Sequence, residues 1–96
     1  MLLKAGVDIS RLNREIRRAL PKIENVYKPY GYELIITSTY EGNHGAGSLH
    51  YGNDAVDVGL APANSRRIYL VIKETLGGSF DVVLEGDHIH IEYDPK

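Results

Sequence analysis

The stretch DHIHIEYD, residues 87 to 94, constrains the fold more than any other part of the chain. Side chains on a strand alternate between the two faces of a sheet. His88, His90 and Glu92 therefore share one face, and Ile89, Ile91 and Tyr93 share the other. A strand written this way must lie with one side on a core and the other turned away from it. It is preceded by a second alternating run in SFDVVLEG, and the break near Gly86 predicts a hairpin.

The remainder supplies the layer that such a sheet needs. Leu12, Ile16, Ala19, Leu20, Ile23, Val26 and Tyr27 recur at helical spacing between Ser10 and Tyr27, with Asp8 or Ser10 available as the cap. Pro21 is expected to kink this helix or to begin a second one, because it lacks an N–H and crowds the preceding turn. YELIITS, 32 to 38, and AVDVGL, 55 to 60, predict strands. A second helix is expected between a cap at Asn64 or Ser65 and a stop at Gly77 and Gly78. Its apolar face would be Ile68, Leu70 or Val71, Ile72 and Leu76. The expected architecture is α+β: a small, mostly antiparallel sheet with helices packed on one face, in one domain spanning 1–96.

Composition narrows the chemistry. There is no cysteine, which excludes disulfides and thiolate metal sites. The formal net charge of −2 gives no reason to expect nucleic acid. Arg11, Arg14, Arg17 and Arg18 form a local basic cluster that is expected to be a solvated helix face. No segment has the length and apolarity to span a membrane, and MLLKAGVDIS lacks the apolar run of a signal peptide. The chain is thus expected to be cytoplasmic as synthesised and monomeric.

All four histidines, His44, His50, His88 and His90, fall in two segments. The first is the glycine-rich stretch 39–53, long for a connection in a compact domain. The second is the last strand. Taken singly, each histidine reads as an ordinary surface residue. If the strand carrying Asp57 neighbours the last strand, Asp57 and His90 project from one polar face, and the preceding stretch can bring His50 to both. Two imidazoles and a carboxylate make a ligand set for zinc with an open fourth position.

SLHYGNDAVDV followed by DHIHIEYD resembles the zinc D-Ala-D-Ala carboxypeptidase family and its relatives. Those relatives include L-alanyl-D-glutamate peptidases of phage endolysins and the amino-terminal domain of hedgehog proteins. The family pattern is S-x-H-x-x-G-x-A-x-D, then a late acid-x-x-H. Ser48, His50, Ala55 and Asp57 match the first part, and Asp87 and His90 the second. The likeness covers roughly residues 30 to 94. The family glycine three residues after the first ligand is Asn53 here, the non-glycine residue most tolerant of left-handed backbone.

The resemblance implies a hedgehog/DD-peptidase-like fold, with zinc ligands at His50, Asp57 and His90. It implies a general base at Asp87, with Glu85 as the competing candidate, and places His88 and His44 beside the metal as oxyanion stabilisers or substrate contacts. The substrate-binding arginine of many such peptidases has no counterpart in TSTYEG. Glu41 instead resembles the TEG of hedgehog domains, where acidic residues bind calcium, but further acidic ligands are not evident. The activity implied is hydrolysis of peptide bonds involving D-amino acids in bacterial peptidoglycan, by a phage-type or cytoplasmic enzyme. The alternative is a non-catalytic, hedgehog-like zinc-binding interaction module.

Overall fold

The computed structural model describes residues 1–39 and 53–95. The described residues form an α+β fold, with two α-helices, a short 3-10 helix at Lys28–Tyr30 and a five-stranded mixed sheet. In chain order the elements are β1 (Leu2–Leu3), α1 (Arg14–Tyr27), β2 (Ile35–Ser38), β3 (Ala55–Val58), α2 (Ser65–Leu76), β4 (Phe80–Leu84) and β5 (Ile89–Tyr93). The strands lie side by side in the order β1-β2-β3-β5-β4. All pairings are antiparallel except β1 with β2, which makes the sheet mixed rather than antiparallel throughout. β1 has only two residues, too short for any periodicity to announce it.

The core follows the alternation of the sequence. Val56, Val58, Val82, Ile89 and Ile91 join Ile16, Leu20 and Ile23 of α1 and Ile68 and Ile72 of α2 in one buried cluster. On α2, Val71 and Leu76 pack against that cluster, whereas Leu70 is 48% exposed. Of the alternatives Leu70 and Val71 that the spacing allows, the core takes Val71.

Helix α1 begins later than its apolar spacing suggests, at Arg14 after Asn13. Asp8 does not cap it. The Asp8 carboxylate accepts the Ser10 N–H at 2.8 Å, a local turn that competes with helix. The Arg17 guanidinium then donates to the carbonyls of Ile9, Ser10 and Leu12, holding them outside the helix. Pro21 lies inside α1, and no second helix begins there. Its missing N–H leaves the Arg17 carbonyl without that helical bond, and Pro21 itself lies on an exposed part of α1.

Four contacts fix the strands that matter for function. The Asn13 N–H donates to the Asn53 carbonyl at 2.9 Å, and Asn13 Nδ2 donates to Asp54 Oδ1 at 2.8 Å. Asn53 is left-handed at φ 64°, a conformation that asparagine tolerates better than other non-glycine residues. The Tyr93 N–H donates to the Asp54 carbonyl at 2.8 Å, which sets the start of β3 against the end of β5. At the other end of β3, the buried Tyr27 hydroxyl donates to the Gly59 carbonyl at 2.6 Å.

Candidate metal centre

Strands β3 and β5 pair directly, with Asp57 opposite His90 and Ala55 opposite Glu92. On the far side of β5, Val83 faces His90 and Asp81 faces Glu92. One stripe across the sheet thus carries Asp57, His90, Glu92 and Asp81, while Val56, Ile91 and Val82 take the alternate positions in the core. A bulge in β2 between Ile36 and Ser38 brings Ser38 into register with Asp57.

His90 lies between two carboxylates. Its Nδ1 is 2.9 Å from Asp57 Oδ1 and its Nε2 is 2.6 Å from Glu92 Oε1. An ionised carboxylate can only accept, so each contact is satisfied when the ring nitrogen facing it carries a proton. The Asp57 hydrogen bond raises the His90 pKa above its ordinary value, burial opposes this, and the Glu92 hydrogen bond adds to the rise. Asp57 itself is buried, at 7% exposure. Alternation predicted its face but not its depth: β3 is a central strand, buried at every residue.

His88 lies at the mouth of the hairpin. Its Nε2 is 3.6 Å from the same Asp57 Oδ1 that meets His90, and its Nδ1 is 2.6 Å from Asp87 Oδ1. The Asp87 side chain is 91% exposed. Glu85 is also exposed, and its backbone N–H closes the hairpin on the His88 carbonyl at 2.9 Å. Asp57, His88 and His90 therefore meet in pairs that share one carboxylate oxygen. His44 and His50, and Glu41 with them, lie outside the described residues.

A second group went unnoticed in the sequence. Asp81, Glu92 and Asp94 bring one carboxylate oxygen each to within 4.8 Å of one another, close enough to hold a metal ion. Asp81 and Glu92 are outward positions of two paired strands, and the hairpin register is what aligns them. All-oxygen donors of this kind do not select zinc. Among the described residues no helix is long and apolar enough to cross a membrane.

Comparison with protein-family models, with curated proteins and with solved structures finds no match.

Proposed function

We propose that the chain is a zinc-dependent peptidase acting on D-amino-acid-containing peptides of bacterial peptidoglycan. The observation that carries this reading is the Asp57–His90 pair, a buried carboxylate 2.9 Å from an imidazole nitrogen on the neighbouring strand. The donor spacing fits the metal. Tetrahedral zinc with bonds of about 2.1 Å to nitrogen and oxygen holds its donors about 3.4 Å apart. The two atoms need separate by only about 0.5 Å for a cation to replace the shared proton. Asp57 and His90 would hold the ion from the sheet. His50 joins them on the strength of the motif alone.

When bound, zinc supplies a Lewis acid and makes its water acidic enough to ionise near neutral pH. The protein's own groups do the remaining work. Asp87 takes the proton of the attacking water and returns it to the leaving amine. His88, held by Asp87 through Nδ1, offers Nε2 to the negative charge that develops on the carbonyl oxygen. The substrate class rests on the resemblance of SLHYGNDAVDV and DHIHIEYD to the peptidase family. The setting suggested by that resemblance is a phage lysis or virion protein, or a cytoplasmic enzyme that trims wall fragments.

One observation favours the other reading, a non-catalytic zinc-binding module: the exposed Asp87 carboxylate is engaged with His88 rather than with Asp57 or His90. Incubation of the zinc-loaded protein with peptidoglycan fragments, followed by mass spectrometry, separates the two. Products that together exceed the substrate by one water identify a peptidase and its scissile bond. Intact fragments in the presence of stoichiometric zinc would leave the binding module.

A further inference from the structure

Metal-binding histidines need two things: a nitrogen aimed at the ion, and something on the other nitrogen to hold the ring and its tautomer. In this sheet His90 has a carboxylate on each nitrogen. Its Nδ1 faces Asp57, and its Nε2 faces Glu92 Oε1 at 2.6 Å. His90 and Glu92 are two residues apart on one strand, so their side chains leave the same face and the contact needs no loop to form it. The residue opposite Glu92 on β3 is Ala55, whose methyl group takes little room on that face. Burial increases along the line: the side chains of Glu92, His90 and Asp57 are 23%, 18% and 10% exposed.

We infer that Glu92 is the positioning residue of the metal centre, accepting the Nε2–H of His90 so that Nδ1 is presented, unprotonated, to the ion. This rests on the zinc reading above and extends it to a residue that the family motif does not assign. Without Glu92 the ring is free to rotate about its χ2 bond and to carry its proton on either nitrogen. With it, one orientation and one tautomer remain. Glu92 touches neither ion nor substrate in this scheme; it acts through His90.

The test is zinc affinity, measured by competition with a chromophoric chelator, for the wild type, Glu92→Ala, Glu92→Gln and Asp81→Asn. Loss of an outer carboxylate of this kind costs about 10- to 100-fold in metal affinity. Glu92→Ala should show that loss. Glu92→Gln, which keeps an acceptor oxygen at the same reach, should recover most of it. Asp81→Asn disables the acidic group of Asp81, Glu92 and Asp94 while keeping Glu92 beside His90, so an ion held at Asp57 and His90 should still bind within about 3-fold of wild type. Long-range imidazole ¹H–¹⁵N spectra of the zinc-loaded protein supply an independent readout, because a merely structural role would not move them. The wild type and Glu92→Gln should show His90 as a single Nε2–H tautomer. Wild-type affinity in Glu92→Ala, or an equal loss in Asp81→Asn, overturns the assignment of Glu92 alone. A wild-type protein that binds no stoichiometric zinc overturns this inference and the zinc reading together.

Discussion

Ile91 separates His90 from Glu92 in sequence and faces the opposite way, and its replacement tests the face assignment on which the site depends. The side chain is 0% exposed, at the centre of β5 between Val56 of β3 and Val82 of β4. Ile91→Ala removes three carbons. At about 0.8 kcal/mol each, the lost transfer energy is about 2.4 kcal/mol. The residual cavity adds about 1 kcal/mol, for a total near the middle of the 2–5 kcal/mol seen for such truncations. A domain of this length has about 5–15 kcal/mol to lose. The melting midpoint should fall by about 15–20 °C, taking an unfolding entropy of about 0.2 kcal/mol/K for the whole chain. Val83→Ala is the control. Val83 flanks His90 from β4 and is 43% exposed, so its truncation should cost under about 1 kcal/mol. Thermal and urea unfolding followed by circular dichroism measure both. If Val83→Ala proved as costly as Ile91→Ala, or if Ile91→Ala cost less than about 1 kcal/mol, the division of β5 into a core face and an outward face would be wrong.

Removing the Tyr27 hydroxyl by Tyr27→Phe breaks its bond to the Gly59 carbonyl and should cost about 1 kcal/mol, read as a fall of about 5 °C in melting midpoint; an unchanged or raised midpoint contradicts that contact. Asp87→Ala should retain zinc by metal analysis but lose about 10²- to 10⁴-fold in peptide hydrolysis, whereas Glu85→Ala should keep it; the reverse result moves the base to Glu85. In chelator-treated protein, His90 has a folded-state pKa raised above 6.5, chiefly by Asp57. Its stabilising contribution is then fully present below pH 6.5 and is lost as pH rises through the higher folded value. The urea midpoint should fall between mildly acidic and mildly alkaline solution, and His90→Gln should flatten that change.

The legible parts of the fold were those with a period. Alternation in residues 87–94 announced β5, and helical spacing announced the inward faces of α1 and α2. What escaped was set by contacts between distant residues. The start of α1 depends on Arg17 reaching back to three carbonyls, which no local propensity records. The parallel edge strand β1 exists because Leu2 and Leu3 find Ile35 and Ile36, not because two leucines favour a strand. For the site, the shared face of His88, His90 and Glu92 was plain, but the contact of Glu92 with His90 was not. Period 2 says which side chains are neighbours; only the rotamers show that Nε2 of His90 turns to Glu92 and Nδ1 to Asp57. The acidic trio at Asp81, Glu92 and Asp94 needed the hairpin register, which a sequence leaves open.

The clasp around Asn13 has a counterpart at Thr39, whose buried hydroxyl donates to the Asp8 carbonyl at 2.9 Å. Thr39 and Asn53 are thereby moored to the same short run of chain ahead of α1. The segment ahead of α1 thus acts as a spacer between the end of β2 and the start of β3, so a substitution within it is felt at both strand ends.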